Sequence, residues 1–214
     1  MTMQPSIVLA SSSVYRRELF ERLGLAYEID VPGIDESALE GEPPVRTARR
    51  LSLAKAEAVA ARHPGAVVIG ADQVAECEGR ALGKPGTHER ALEQLQFLSG
   101  RKAFFHSGIA VVGGNRPSRV DCVDTEVVFR ELAREALEAY LLRERPYDCA
   151  GSARVEALGI ALVESVKSED PTALIGLPLI RLVSLLRLAG VDPLRTPSPP
   201  APLPGGEGGR QKKG

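Results

Sequence analysis

The segment Ile7-Val8-Leu9-Ala10-Ser11-Ser12-Ser13-Val14-Tyr15-Arg16-Arg17 constrains the fold more than any other. Its apolar start reads as a buried strand and three serines make the turn. Val14–Leu23 then reads as a helix with Leu19, Phe20 and Leu23 on its inner face. A strand feeding a helix through small residues is the opening of an α/β unit. The turn suits an anion, because the free N–H groups and positive dipole end of a starting helix point into it. Arg16 and Arg17 occupy the first turn, where acidic residues are favoured, and a bound anion resolves that misfit. The same residues also describe a serine cap followed by two solvated arginines.

Further along, Tyr27–Val31 alternates like a strand and leads into the loop Pro32–Glu42, which carries Asp35 and Glu36. An Ala-, Arg- and Leu-rich helix is expected over Val45–Arg62, ended by Pro64-Gly65. Ala66–Ala71 is apolar throughout and fits a central strand, with Asp72 just beyond its end. A hairpin follows, Val74–Cys77 with Arg80–Leu82, then Gly83-Lys84-Pro85-Gly86 and a helix over Thr87–Leu98. Lys102–Val112 and Arg119–Phe129 read as an antiparallel pair around Gly113-Gly114-Asn115. The remaining elements are a helix over Ala133–Leu142, a strand over Ile160–Val166 and a helix over Leu179–Leu188. Helices mixed with parallel-type and hairpin-type strands give an α/β class with a mixed central sheet.

A chain of 214 residues is long enough for one domain, with room for two lobes around a cleft. That domain is expected over residues 1–195. From Thr196 the Pro- and Gly-rich text to Gly214 lacks apolar surface to bury and is expected to be a disordered tail. A formal net charge of −1 leaves no footprint for general binding to nucleic acid or membrane, so any polyanion site is a local cluster. Cys77, Cys122 and Cys149 are far apart and lack zinc-ligand spacing, which fits reduced thiols. With no signal-like or membrane-spanning run, the expected location is the cytoplasm.

The chemistry-bearing residues fall at element ends. They are Ser11, Ser13 and Arg16, then Glu36, Lys55, Asp72, Gln73, Lys84 and Glu156. Ligands of α/β sheets gather at strand ends, so the serine turn and Asp72-Gln73 are candidates for one cleft. Two carboxylates with Arg16, Lys55 and Lys84 suit phosphoryl or pyrophosphoryl chemistry. The cations hold phosphates, while the carboxylates hold a hard divalent metal or deprotonate water. Taken singly, each of these residues is equally well a solvated charge or a turn cap.

Leu9-Ala10-Ser11-Ser12-Ser13-Val14-Tyr15-Arg16-Arg17, Gly70-Ala71-Asp72-Gln73-Val74, Gly83-Lys84-Pro85, Ala150-Gly151-Ser152 and Ile175-Gly176-Leu177-Pro178-Leu179 occur in the order found in the Maf family of nucleoside triphosphate pyrophosphatases, which the chain resembles from about Ser6 to Leu194. The resemblance implies a two-lobed mixed α/β fold related to inosine triphosphatases, with a nucleotide-binding cleft. It also implies cleavage between the α and β phosphates with a divalent cation, Mg²⁺ or Mn²⁺, and a homodimer. In this light Asp72 matches the proton acceptor and, with Glu36, the metal-side acids. Ser11, Ser13, Arg16, Lys55 and Lys84 match the phosphate-handling set. Val14 departs from the family, which usually has proline there to preset the helix start.

Branches of the family differ at the positions of Tyr15, Gln73 and Glu156. The branch acting on dTTP and UTP typically has arginine, threonine and glutamine. This chain resembles instead the 7-methyl-GTP branch, whose first position is usually tryptophan. N7-methylation makes guanine cationic, and an aromatic face attracts such a ring by about 0.5–2 kcal/mol. A carboxylate at Glu156 accepts from guanine N1–H and N2–H₂ while offsetting the ring charge. Two other readings stay open: a pyrophosphatase of broader specificity for modified nucleotides, and a non-catalytic nucleotide-binding regulator of septum formation.

Overall fold

The computed structural model describes residues 5–114 and 116–195. Among these, the strands β1 (Ile7–Ala10), β2 (Glu28–Ile29), β3 (Val67–Cys77), β4 (Arg80–Leu82), β5 (Lys102–Gly113), β6 (Arg116–Phe129) and β7 (Val163–Ser168) form one sheet. Its order is β2-β1-β3-β5-β6-β7, with β4 paired to the far end of β3. β1 runs parallel to β2 and β3, and the other pairings are antiparallel. The helices are α1 (Val14–Glu21), α2 (Pro44–Ala60), α3 (His88–Leu98), α4 (Arg134–Glu144) and α5 (Leu179–Leu188). The protein therefore has the mixed α/β sheet that its sequence implies.

Several boundaries differ from the sequence expectation. Asp72 does not follow the central strand but lies within it. β3 pairs with β5 without a break from Val67 opposite Gly113 to Cys77 opposite Ala103, and the expected hairpin arm Val74–Cys77 is simply the end of β3. A carboxylate is tolerated mid-strand because its side chain has a cationic partner on the helix above. The strand expected over Tyr27–Val31 is reduced to an exposed two-residue edge. The strand expected over Ile160–Val166 begins at Val163, because Leu158–Leu162 coil into a 3₁₀ turn. The tail expected from Thr196 lies outside the described residues, as does Asn115.

β3 organises the core through its alternation. Val67, Ile69 and Ala71 face α1 and α5, packing with Leu19, Phe20, Leu182 and Leu186. Val68 faces the other way, onto Ala56 and Val59 of α2. Farther along, Ala75 and Cys77 enter a separate cluster with Leu95, Leu98, Phe105, Val127 and Leu141. Two apolar clusters at the two ends of shared long strands make the two lobes.

The seating of α2 depends on two glycines. A Cβ on Gly70 would lie 2.1 Å from the Ser52 carbonyl oxygen, and one on Gly108 would lie 2.3 Å from that of Ala48. Both neighbours are helix backbone and cannot rotate away. Replacing Gly70 or Gly108 by alanine is expected to destabilise the fold by at least about 1–3 kcal/mol, the usual cost of overpacking. Urea denaturation tests this: a clearly lowered midpoint is expected, and an unchanged one contradicts the close seating.

Candidate active site

The sheet opens into a notch beside the middle of β3. β1 pairs with Val67 to Gly70 and stops, while β4 pairs only with Ala75 to Cys77. Ala71 to Val74 are thus laddered to β5 on one side but to no strand on the other. The serine turn leaves β1 at one end of this notch. Gly83-Lys84 leaves β4 at the other end, heading back along β3 because that pair is antiparallel. Strands that part leave a crevice, and crevices of this type hold ligands in α/β sheets.

At the notch, Asp72 projects toward α2. Lys55 lies one helical turn beyond Ser52, whose carbonyl abuts Gly70, so its stem descends directly onto the acid. The Lys55 ammonium is 2.7 Å from Asp72 Oδ1 and 2.8 Å from Glu36 Oε2. Lys55 and Asp72 are buried, whereas Glu36 reaches in from the exposed loop. The loop is pinned to α2 by Arg50, which donates to both carboxylate oxygens of Glu42 and to the Ser37 carbonyl. Asp72 Oδ2 accepts no hydrogen bond from protein among the described residues.

The serine turn is built as a helix cap. Ser13 Oγ accepts from the Arg16 N–H at 3.4 Å, and the buried Ser11 Oγ accepts from the Ser13 N–H at 3.1 Å. Arg16 is only half-buried but anchored: its Nε donates to the Gly176 carbonyl at 3.0 Å. Burial lowers the pKa of its guanidinium, opposed by the fields of Asp72 and Glu36. Arg16, Lys55, Asp72 and Glu36 therefore form one electrostatic group. Gly176 holds a φ of 116°, a conformation suited to glycine. The corner that presents its carbonyl is tied down by Asp170, which accepts from the N–H groups of Thr172, Ile180 and Arg181.

Gln73 faces the opposite side of the sheet from Asp72. Its Nε2 lies 3.0 Å from each of Ser107 Oγ, Ala173 O and Leu174 O, so its donors are spent on the 3₁₀ turn Ala173–Ile175 and only its carbonyl oxygen is left to offer. Tyr15 and Glu156 come together, with a third residue between them that the sequence reading missed. The Arg154 guanidinium carbon is 5.2 Å from the Tyr15 ring centre, and Arg154 Nε is 3.8 Å from Glu156 Oε1. Arg154 belongs to no motif, and its place two residues before Glu156 is its sole sequence signal. Burial, with smaller effects from Cys149, Asp148 and Glu156, pushes the Tyr15 phenol up to about 12, keeping it neutral.

Lys84 is exposed and makes no ion pair among the described residues. It lines a cavity of about 400 Å³ with Arg80, Arg90, Gln94 and Phe97. None of Lys55, Asp72 or Glu36 lines this cavity. No contact among the described residues joins Lys84 to the Asp72 centre; the chain only leaves β4 in that direction.

Among the described residues no three His, Cys, Asp or Glu side chains converge on one metal-sized point. Glu36 and Asp72 do converge, on the Lys55 ammonium. The converging oxygens are taken by Lys55, and it is the second oxygen of each carboxylate, Asp72 Oδ2 and Glu36 Oε1, that would suit a Mg²⁺-like ion completing its shell with phosphate oxygens and water. The donor set fits a hard divalent cation.

A two-lobed α/β protein with cations and carboxylates gathered where its strands part is built to handle a phosphorylated ligand. The chain belongs to the Maf family: the family described as Maf-like protein matches residues 6–189. A Bordetella avium protein named 7-methyl-GTP pyrophosphatase is 54% identical over 198 residues, covering 92% of this chain and 100% of its own length. One of the same name from Cupriavidus pinatubonensis is 54% identical over 187 residues, covering 87% and 94%. Another, from Bordetella pertussis, is 55% identical over 190 residues, covering 89% and 95%. Among solved structures, the Staphylococcus aureus Ham1 protein aligns with a TM-score of 0.43 at 21% identity, covering 59% of this chain and 72% of that one.

Two predictions follow from this geometry. Lys55→Met leaves Asp72 buried and unpaired, a loss of about 3–5 kcal/mol when one partner of a buried pair is removed. Thermal or urea unfolding at neutral pH is expected to show it, and wild-type stability contradicts the buried pair. The second concerns Glu42, whose pKa the Arg50 hydrogen bonds lower from 4.5 to about 2. A depressed acid stabilises above its unfolded pKa, and the effect is lost as pH falls through the folded one. Glu42→Gln is therefore expected to be less stable than wild type at pH 6, with the gap closing between about pH 4.5 and 2. A gap independent of pH contradicts the clamp.

Proposed function

We propose that this chain hydrolyses 7-methyl-GTP between its α and β phosphates, giving 7-methyl-GMP and pyrophosphate. The observation that carries the reading is the Lys55 ammonium held between Asp72 and Glu36 beside the serine turn. The relatives named 7-methyl-GTP pyrophosphatase, alike over most of the chain, support the choice of substrate.

In the free protein the two cations Arg16 and Lys55 balance the two acids Asp72 and Glu36. A triphosphate adds several negative charges, and the site then needs further positive charge. Lys84 supplies one cation from the far rim of the notch. Glu36 and Asp72 are the residues that would hold a divalent ion, which would supply the remaining positive charge for the phosphates. Arg16, fixed on the Gly176 carbonyl through Nε, keeps its terminal nitrogens for phosphate oxygens. Ser11 and Ser13 shape the turn that lets the phosphate approach the backbone amides.

Asp72 is the proton acceptor. Its Oδ1 is anchored by Lys55, and its Oδ2 takes a proton from the attacking water. The water oxygen bonds to the α-phosphorus, and the bond to the bridging oxygen breaks. That electron pair leaves on pyrophosphate. Tyr15 stacks on the cationic base and Glu156 accepts from its N1–H and N2–H₂ edge, with the Gln73 carbonyl oxygen on the opposite wall. The same reading places the active form as a homodimer in the cytoplasm.

The test is steady-state turnover of 7-methyl-GTP, GTP, dTTP and UTP with Mg²⁺ or Mn²⁺. Preference for 7-methyl-GTP is expected, with Asp72→Asn lowering kcat by about 10²–10⁴-fold while the fold persists. Preference for dTTP and UTP overturns the substrate. Retained activity in Asp72→Asn overturns the base, and tight binding without pyrophosphate release overturns catalysis.

A further inference from the structure

Arg154 stands where the base is expected. Its guanidinium lies against the Tyr15 ring and beside the Glu156 carboxylate, the two groups that the proposed function assigns to 7-methylguanine. A guanidinium and a 7-methylated guanine make the same demands on that pair. Both are flat and cationic, and both present N–H donors to a carboxylate. Tyr15 and Glu156 cannot serve both at once.

The hold on the side chain is loose, although its backbone is fixed. The Arg154 N–H donates to Tyr140 Oη at 2.9 Å, and a Cβ on Gly159 would lie 2.4 Å from the Arg154 carbonyl oxygen. The guanidinium, in contrast, reaches its acids only at ion-pair range, and its buried Nε has no hydrogen-bond partner among the described residues. A second acid already shares it: Glu144, the last residue of α4, has Oε2 3.4 Å from Arg154 Nη1, closer than Glu156 at 3.8 Å. Because the Glu144 pair is already in place and is the shorter of the two, a side-chain rotation that gives up Tyr15 and Glu156 leaves Arg154 still paired, and no charge is stranded by the move.

We propose that Arg154 fills the base subsite of the free protein as an internal competitor, and that it gives up Tyr15 and Glu156 and keeps Glu144 when the cationic base enters. The inference rests on the reading of Tyr15 and Glu156 as the base subsite. Its thermodynamic consequence is specific. Arg154 leaves before any base can enter, so it weakens binding of every nucleotide by one common factor and leaves their ratio unchanged. It acts on KM and not on the chemical step.

The experiment measures kcat and KM for 7-methyl-GTP and GTP in wild type, Arg154→Ala, Arg154→Gln, Glu144→Gln, Glu156→Gln and the Arg154→Ala/Glu144→Gln double variant. Removing Arg154 is expected to lower KM for both nucleotides by the same factor, roughly three- to tenfold, with kcat moving less than twofold. Arg154→Gln keeps the stem and stands in if the alanine variant folds poorly. Glu144→Gln, which removes the resting place, is expected to raise KM about two- to threefold, and to do nothing once Arg154 is gone. A raised or unchanged KM in both Arg154 variants overturns the proposal, as does a Glu144 effect that persists without Arg154. Failure of the subsite reading is separately visible: Glu156→Gln then leaves the 7-methyl-GTP to GTP ratio unaltered.

Discussion

A buried ammonium shared by two carboxylates holds this site together, and the closeness of one helix to one sheet makes it possible. Burying Lys55 and Asp72 carries a large desolvation cost, recovered only when the charges meet at hydrogen-bond distance. Gly70 and Gly108 permit that meeting, since any side chain there would strike the backbone of α2. The loop with Glu36 then closes over the ammonium, tied to the same helix by Arg50 and Glu42. Helix α2 thus supplies the packing, the central cation and the anchor of the second acid.

Topology does the rest. Because β1 is parallel to β3 and β4 antiparallel, the two neighbours approach from opposite ends and leave the middle of β3 bare on one edge. Asp72 and Gln73 occupy that bare stretch on opposite faces. One meets the charges on α2, and the other braces the 3₁₀ turn whose neighbouring glycine holds Arg16. The residues proposed for the phosphate side and the base side are therefore parts of one strand's alternation.

Much of this was legible in the sequence. The strand–serine–helix start, the long antiparallel pair and the last helix lie where apolar periodicity places them, because each has a one-sided core face. What pattern missed depended on partners distant in sequence. Asp72 looked like a strand terminator because a lone carboxylate inside a strand is costly, and Lys55, which removes that cost, is 17 positions away. The anchoring of Arg16 could not be read from the sequence because its acceptor, Gly176, lies 160 positions on. The donors of Gln73 are likewise taken by backbone a hundred residues away. Arg154 was missed because the partner that gives it significance, Tyr15, is far away in sequence, although both of its acids are near.

The proposed phosphate and base sites meet on α1, where Arg16 donates to the Gly176 carbonyl and the adjacent Tyr15 carries Arg154 on its ring. One ligand spanning both proposed sites would explain why a helix begins with a half-buried cation and a neutral ring. The most direct measurement is a crystal structure with a 7-methyl-GTP analogue whose α,β-bridging oxygen is replaced by a methylene group. The account predicts the α-phosphate beside Asp72 and Lys55 in the serine turn, with the methylated ring on Tyr15 and its N–H edge on Glu156. Phosphates seated instead in the Arg80–Lys84–Arg90 cavity, with Lys55 still bridging Asp72 and Glu36, would contradict it.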